Sequence, residues 1–150
     1  MIPLTIRHAV PDDYADWRVM WDFYCAFYET TIPEDVTQQS WARICDPVSP
    51  VKALMARHTV GGEALGMCNY ILHDNTWTLG PVCYLEDLFT HRASRGQGVG
   101  KALVDELLRL GRAHGWARLY WMTRNNNTTA RRLYDQYTSA DDFVRYMVRL

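Results

Sequence analysis

Three glycines alternate at Gly96, Gly98 and Gly100, between a segment with a strand pattern and one with a helix pattern. Glycine tolerates a positive φ and lets backbone N–H groups approach a ligand, because it has no Cβ. The helix that follows adds unpaired N–H groups and the positive end of its dipole. Arg95 and Lys101 add two cations. This joint suits the binding of a pyrophosphate, and a tight strand–helix connection without a ligand is the alternative.

A second candidate group is spaced along a later helix. Asn127 is a good helix N-cap, and Tyr134 follows two turns later on roughly the same face. Both side chains can therefore point into one cleft. The alternative is structural, with Asn127 as a cap, Ala130 and Leu133 packed inward and Tyr134 in the core.

The hydrophobic pattern predicts the elements that must position these groups. Strands are predicted at 4–9, 51–60, 64–73, 82–90, 117–123 and 143–150, with a Gly61-Gly62 hairpin turn after the second. Helices are predicted from Pro11 to the break at Ile32-Pro33, at 36–45, after the glycine loop as far as 111–115, and at 127–137. This order predicts an α/β fold in which helices cover both faces of a mixed sheet.

Composition limits the function without naming it. The chain has 150 residues, 16 Lys and Arg against 17 Asp and Glu, and a formal net charge of −1. That length suits a single domain, residues 1–150. A charge near zero argues against binding of nucleic acid by bulk positive potential. The sequence has no apolar run long enough for a membrane span and begins without an export signal, so we expect a cytoplasmic protein without a membrane partner.

Cysteine and histidine spacing gives no sign of a disulfide framework or a metal. The cysteines, Cys25, Cys45, Cys68 and Cys83, include no C-x-x-C pair. None of the five histidines has metal-ligand spacing with a cysteine or another histidine. We therefore expect four buried thiols and no metal site.

The two motifs together resemble those of a known family. Arg95-x-x-Gly98-x-Gly100 after a strand, followed by Asn127-x-x-Ala130-x-x-Leu133-Tyr134 on the last helix, resembles the GNAT superfamily of acetyl-CoA-dependent N-acetyltransferases. The element order fits along essentially the whole chain. Segments 6–7, 27–29 and 84–89 are similar to the diamine (spermidine/spermine) acetyltransferases, and segments 119–121 and 133–135 to small histone or polyamine acetyltransferase-like proteins. The resemblance implies a mostly antiparallel twisted sheet of about six to seven strands with about four helices.

The resemblance also implies acetyl-CoA as co-substrate, and its binding residues carry over by position. The loop amides would hold the pyrophosphate, the backbone of the strand before the loop would pair with the pantetheine arm, and the last helix would contact CoA. These residues are Leu88, Phe89, Thr90, Arg95, Gly96, Gln97, Gly98, Val99, Gly100, Lys101, Asn127 and Ala130.

The family chemistry assigns roles to a few side chains. Tyr134 would donate a proton to the departing thiolate, since phenol and thiol pKa values are about 10 and 8.5. An alkylamine is protonated at neutral pH, so a carboxylate must attract the cation and accept its proton. Because neighbours on a strand face opposite ways, only one of Glu86 and Asp87 can directly face the cleft. The resemblance favours Glu86 in that role, with Asp87 as a weaker or water-linked participant. A strand-edge salt bridge is the structural alternative.

The expected reaction is direct acetyl transfer, in a ternary complex, to the primary amine of a small cationic metabolite such as a polyamine. Tyr28 and Glu29 would border the acceptor pocket with Glu86 and Asp87. A protein lysine or N-terminal amine, an amino acid and an aminoglycoside are alternative acceptors. A CoA-binding sensor or scaffold is the alternative that is not an enzyme. The family also suggests a homodimer.

Overall fold

The computed structural model describes residues 2–150 and is built on a sheet whose strands follow chain order. The strands are β1 (Leu4–His8), β2 (Val51–His58), β3 (Ala64–His73), β4 (Val82–Thr90) and β5 (Arg118–Trp121). The first four pair antiparallel, whereas β5 lies parallel to β4. The prediction of a mixed, mostly antiparallel sheet is confirmed.

Four α-helices accompany the sheet, as predicted. They are α1 (Tyr14–Phe27), α2 (Glu34–Cys45), α3 (Val99–His114) and α4 (Thr128–Tyr134). Short 3-10 turns at Pro11–Asp13 and Arg92–Ser94 come before α1 and before the glycine loop. Within residues 2–150, no helix combines the length and apolarity needed to cross a bilayer.

Each face of the sheet carries its own hydrophobic core. On one face, α3 packs against a cluster that includes Leu54. On the other, Trp17 and Met20 of α1 pack with Met55. Leu54 and Met55 are neighbours on β2 and belong to different cores because successive strand side chains face opposite ways. The helices therefore cover both faces, and elements from both sides meet near β4.

The predicted closing strand is wrong. Residues 143–150 form no strand and their side chains are exposed, so the sheet has five strands rather than six to seven. The alternating pattern shows only that this segment suits a sheet. A strand also needs a neighbour for its backbone N–H and C=O groups, and none of the described elements pairs with it.

Burial of the cysteines follows the expectation at three of four positions. Cys25, Cys68 and Cys83 are buried, whereas Cys45 is only half-buried. Burial raises the pKa of the Cys83 thiol to about 12. Since a thiolate is needed for nucleophilic attack, Cys83 serves packing in β4.

Candidate active site

β4 and β5 diverge in the middle of β4. The two strands pair only over residues 82–85 of β4, which lie opposite 118–121. β3 continues to pair with β4 as far as Thr90. Residues 87–90 therefore have a neighbour on one side and an open edge on the other.

Two residues present backbone polar groups to this open edge. The N–H of His91 donates to Leu65 O on β3 at 2.9 Å. Because backbone groups alternate in direction along a strand, those of Phe89 also face β3, whereas those of Leu88 and Thr90 face the open edge. The predicted backbone contacts thus fit Leu88 and Thr90 but not Phe89, whose side chain is buried in the core.

The glycine loop lies beside the open edge and leaves backbone donors free. Gly98 precedes α3 with φ of 86°, in the left-handed region that favours glycine. The N–H of Ala102 donates to Gly98 O at 2.9 Å. The N–H groups of Val99, Gly100 and Lys101, in the first helical turn, lack a helical acceptor.

Close packing fixes the start of α3 against the sheet. A Cβ on Gly100 would lie 3.4 Å from Leu133 Cδ2 and 3.7 Å from Thr90 Oγ1. A Cβ on Gly66 of β3 would lie 2.8 Å from Val99 Cγ1. Glycine at both positions lets the helix N-terminus approach the end of β4.

The two cations of the loop have local partners. Arg95 Nε donates to Thr90 O at 3.2 Å. Lys101 Nζ forms an ion pair with Asp105 Oδ2 at 2.7 Å and lies 5.6 Å from the centre of the Tyr137 ring. Both side chains therefore lie at the donor end of the cleft while contributing to the local fold.

A β-bulge separates the two carboxylates on β4. Asp87 lies opposite Asn69 of β3, and Leu85 lies opposite Tyr70, so Glu86 has no partner on β3. Bulges of this kind redirect side chains next to active sites. Glu86 is exposed, whereas Asp87 is buried.

Asp87 is held by a chain of hydrogen bonds that begins on α1. Trp17 Nε1 donates to Asn69 Oδ1 at 3.0 Å, and Asn69 Nδ2 donates to Asp87 Oδ2 at 3.0 Å. The Tyr24 hydroxyl lies against the same carboxylate and within 3.5 Å of Glu86 O. Asp87 is therefore fixed by neutral donors.

Both carboxyl groups titrate above their ordinary range. Burial raises the pKa of Asp87, and the Asn69 and Tyr24 hydrogen bonds offset only part of this effect. Partial desolvation by the surrounding protein and then the charge of Asp87 raise the pKa of Glu86, although its side chain still reaches solvent. None of the ion pairs in residues 2–150 involves either carboxylate. A raised carboxyl pKa suits a base that must accept a proton near neutral pH.

Two aromatic rings connect this acidic end to a cation. The Tyr24 and Tyr28 ring centres are 4.9 Å apart. Arg124, just after β5, places Cζ 5.7 Å from the centre of the Tyr28 ring, a cation–π distance. The ion pairs formed within residues 2–150 do not include Arg124. An acidic pair beside Tyr24 and a cation beside Tyr28 therefore flank these two rings.

Glu29 does not join the other predicted acceptor residues. It adopts φ of 51° just after α1, where the N–H of Thr30 donates to Cys25 O at 3.0 Å. This is a helix-terminating geometry in which glycine is usual. Glu29 borders a crevice of about 490 Å³ between α1 and α2, whose lining includes Asp22 and Cys25 but neither Glu86 nor Asp87.

Tyr134 lies at the divergence of β4 and β5. Its ring centre is 5.3 Å from that of Trp121 at the end of β5. Burial, with a smaller effect of Tyr28, raises the pKa of Tyr134 to about 12, so the phenol is protonated at neutral pH. Asn127 caps α4, since its Oδ1 accepts from Ala130 N–H at 3.2 Å.

Sequence reasoning missed Asn69 and Arg124. Asn69 is a polar residue inside the apolar strand β3, and that polarity was a usable signal of a buried polar partner. Arg124 had no local signal as a site residue, because its place beside Tyr28 depends on how α1 packs against the β5–α4 connection.

Comparison with known proteins gives several clear similarities. The chain is 29% identical over 143 residues to the D-amino-acid N-acetyltransferase HPA3 of Saccharomyces cerevisiae, covering 95% of this chain and 89% of the relative. A ribosomal-protein-alanine N-acetyltransferase from Brucella melitensis matches with a TM-score of 0.77 and 22% identity, over 98% of this chain and 99% of that one. AAC(6')-Iy, in complex with the bisubstrate analogue CoA-S-monomethyl-acetylneamine, matches with a TM-score of 0.81 and 20% identity, over 98% and 99%.

The family assignment covers most of the chain. The model of the acetyltransferase (GNAT) family matches residues 16–137, which include both carboxylates, the glycine loop and Tyr134. The solved structures have the same fold. This chain belongs to the acetyltransferase (GNAT) family and is an N-acetyltransferase.

Proposed function

We propose that this enzyme transfers the acetyl group of acetyl-CoA to the amine of a free amino acid. The observation that carries the proposal is the separation of opposite charges across the Tyr24 and Tyr28 ring pair. Glu86 and Asp87 form an acidic end without a cation, and Arg124 forms a cationic end beside Tyr28. An amino acid zwitterion presents an ammonium group and a carboxylate to complement these ends.

The donor side has the backbone groups that acetyl-CoA would need. The N–H groups of Val99, Gly100 and Lys101 at a helix N-terminus suit its pyrophosphate. Leu88 and Thr90, at the open edge of β4, would pair with the pantetheine arm. The backbone groups of these five residues therefore fit acetyl-CoA.

The cap of α4 limits which atoms of Asn127 and Ala130 could contact CoA. Asn127 Oδ1 is occupied by the cap of α4, which leaves its Nδ2 as the donor for a CoA contact. Ala130 supplies the capped N–H and would touch CoA only through its small side chain.

Three groups of the chain would act on the reacting atoms. Bound acetyl-CoA supplies an acetyl thioester, whose carbonyl carbon the amine attacks directly. The N–H of Leu88 would donate to the carbonyl oxygen, a contribution of roughly 3 kcal/mol for one donor of this kind. Glu86 would accept the ammonium proton. Tyr134, a phenol that is protonated at neutral pH and whose pKa burial raises further to about 12, would donate its phenolic hydrogen to the departing sulfur. The second proton, which the nitrogen loses after the attack, would restore the phenol.

A linear polyamine is the second candidate acceptor. It is supported by the unneutralised pair of Glu86 and Asp87, which would attract a cation of any kind. The amino acid is preferred because Arg124 would repel the second ammonium of a diamine. The name of the yeast relative, a D-amino-acid N-acetyltransferase, supports the same choice.

The experiment compares matched acceptors. Initial rates are measured for D- and L-amino acids, for the corresponding amino acid amides, and for linear diamines. An amide keeps the amine but lacks the carboxylate. We expect kcat/KM at least about 10-fold higher for the acid than for its amide, and Arg124→Gln removes that difference. Arg132→Gln, on the exposed side of α4, is the control and retains it.

Two results would overturn the proposal. Equal kcat/KM for acids and amides would show that no carboxylate site exists. Diamines used more efficiently than every amino acid, with no effect of Arg124→Gln, would favour the polyamine.

A further inference from the structure

Two tyrosine rings form a stacked pair next to the acidic residues of β4. Tyr84 of β4 lies opposite Tyr120 of β5, with ring centres 5.0 Å apart and ring planes 17° from parallel. The strand neighbours of both rings pack in the core on the α3 side of the sheet. Because successive strand side chains face opposite ways, the pair lies on the α1 side, which is also the side of Asp87.

The pair lies beside α1 rather than under it. Phe23 of α1 stacks on Phe89 at 6.4 Å between ring centres, and Tyr24 reaches Glu86 O. Tyr84 precedes both of these β4 residues, so it lies outside the stretch of β4 that these contacts cover. The core that the described residues form under α1 includes neither ring of the pair, and both tyrosines are half-buried. The pair is therefore a surface that a ligand can reach.

A hydrogen bond fixes the ring of Tyr120. His73 Nδ1 lies 2.8 Å from Asp74 O, and a carbonyl oxygen can only accept, so this nitrogen carries the hydrogen. In the neutral imidazole, Nε2 is then an acceptor, and the Tyr120 hydroxyl donates to it at 3.0 Å. A ring that is already held at its face and at its hydroxyl loses little freedom when a ligand binds.

Tyr84 lies close to the carboxylate that would accept the proton of the amine. Two residues separate Tyr84 from Glu86 along β4, and two residues of a strand span roughly 7 Å. Partial burial raises the pKa of Tyr84, and the charge of Glu86 adds to that effect, which agrees with this proximity. An aromatic side chain extends about that far from the amine of its own amino acid, whereas a methyl group does not.

Two arginines make the pair unsuited to a cationic side chain. Partial burial is the largest cause of the raised pKa of both phenols, and the charges of two arginines partly offset it. Arg145 acts on Tyr84 in this way, and Arg118 acts on Tyr120. Each arginine is therefore close enough to repel a lysine or arginine side chain placed on the rings, and a neutral side chain is the better complement.

We propose that the pair of Tyr84 and Tyr120 binds the side chain of the amino acid acceptor and selects a planar aromatic one. This inference rests on the proposed function, because it gives a place to the third substituent of the acceptor. The ammonium group lies at Glu86, the carboxylate at Arg124 and the side chain at the two rings. Aromatic rings prefer offset-stacked or edge-to-face contacts with other rings, and these contacts add to the effect of burial. The two tyrosines thus determine specificity and take no part in proton transfer.

Four acceptors separate the side-chain site from the carboxylate site. They are phenylalanine and alanine of one configuration and the amides of both. The ratio of kcat/KM for phenylalanine over alanine measures the ring pair, in acids and amides alike, and we expect it to be at least about 10-fold. The ratio of acid over amide measures Arg124. The wild-type enzyme should use 3-cyclohexylalanine, which matches phenylalanine in size but is not planar, at least about threefold less efficiently than phenylalanine.

Substitutions at Tyr84 test the ring itself. Tyr84→Leu keeps an apolar side chain without a planar face, and it should lower the phenylalanine-over-alanine ratio at least about fivefold, through KM rather than kcat. Tyr84→Phe should retain the ratio. Tyr146→Leu, the same change at a tyrosine that is 92% exposed, is the control and should alter neither ratio. Retained kcat/KM for alanine shows that each variant is folded.

The outcomes distinguish this inference from the proposed function. A phenylalanine-over-alanine ratio near one, or equal use of cyclohexylalanine and phenylalanine, would overturn the aromatic site, even if acids are preferred to amides. Equal rates for acids and amides with a high phenylalanine-over-alanine ratio would overturn the amino acid as acceptor and support the ring site. Acetylation of none of the four acceptors would overturn both.

Discussion

Two aspartates lie buried on the α1 side of the sheet, and their surroundings are opposite. Asp13 is 2% exposed and Asp87 is 7% exposed. Asp13 is paired with two arginines, whereas Asp87 receives only neutral donors and has Glu86 as its neighbour. Burial is nearly equal, so the partners decide what each carboxylate does.

Asp13, in the 3-10 turn before α1, links that turn to β1 and β2 through two ion pairs. Its Oδ2 lies 2.6 Å from Arg7 Nη1 on β1, and its Oδ1 lies 2.6 Å from Arg57 Nη2 on β2. Burial would raise the pKa of Asp13, but hydrogen bonds from Arg7, Val10 N–H and Arg57 outweigh it and hold the pKa at about 2. Arg57 also reaches Asp16 and Gly62 O, which a lysine cannot do from one planar group.

Among the residues that the structure describes, no cationic side chain compensates for the desolvation of the Asp87 carboxylate. The raised pKa values of Asp87 and Glu86 follow from that arrangement. Structural ion pairs lower carboxyl pKa values, whereas sites that move protons raise them. The difference indicates that Asp13 serves stability and that the pair on β4 serves chemistry.

The largest expected effect is on turnover. Glu86→Gln removes the proposed base, and kcat/KM for the amine should fall about 100-fold or more at neutral pH. Initial rates from pH 6 to 10 measure it. Glu63→Gln, an exposed hairpin residue, should leave the rate unchanged. A wild-type rate in Glu86→Gln would contradict the conclusion that the carboxyl pair on β4 serves chemistry.

The next effect is on stability. Asp13→Asn leaves two arginines without their shared carboxylate, and the free energy of unfolding should fall by about 2 kcal/mol, the equivalent of the pKa difference, and by less where solvent screens Arg7. Urea denaturation measures it, with the exposed Asp12→Asn as control. The kcat should not change.

Acid titration checks the sign of the Asp13 contribution. The pKa of Asp13 is about 2 in the folded chain and 3.8 ordinarily, so its stabilisation is complete above about pH 4 and is lost as pH falls towards 2. Wild-type stability should therefore converge with that of Asp13→Asn across this window. Parallel curves would contradict the assignment.

Asp87→Asn should change the rate less than Glu86→Gln does, and it should affect stability in the opposite direction from Asp13→Asn. Removing this charge lowers the pKa of Glu86, so the acidic limb of the pH–rate profile should move to lower pH and the plateau should fall only a few-fold. A raised folded pKa means that ionised Asp87 opposes folding at neutral pH. Unfolding free energy should therefore stay equal or rise by up to about 1 kcal/mol, unlike that of Asp13→Asn.

The sequence predicted local features of both regions but not their partners. β4 was predicted with its observed bounds because an apolar run follows Gly80-Pro81. The bulge that separates Glu86 from Asp87 could not be predicted, because no residue type in β4 indicates it. Asp13 falls in the first turn of the helix predicted from Pro11, whereas its bond to Arg57 joins residues 44 apart, which no local pattern encodes.

Local sequence patterns likewise predicted the backbone features of the acetyl-CoA side but not the contacts that depend on tertiary packing. The glycine alternation predicted the loop before α3, and the type and spacing of Asn127 predicted the cap of α4, because both depend on local backbone needs. Residues 143–150 were predicted as a strand because their pattern is local, but strand pairing depends on the edge of another strand. Arg124 belongs to the same class, since its place beside Tyr28 is set by tertiary packing.

The smallest expected effect concerns an acid that has neither an arginine partner nor burial. Glu29 lies in a left-handed conformation where glycine is usual, so Glu29→Gly should raise the free energy of unfolding by about 0.5–1 kcal/mol. Glu29→Ala loses the same charge but keeps the backbone strain, so it should not gain stability. If the charge attracts the amine, both variants should raise KM equally, by about twofold, because an exposed charge is screened. Thermal denaturation and KM measured together therefore separate the backbone effect from the charge, and equal stability of the two variants would refute the strain at Glu29.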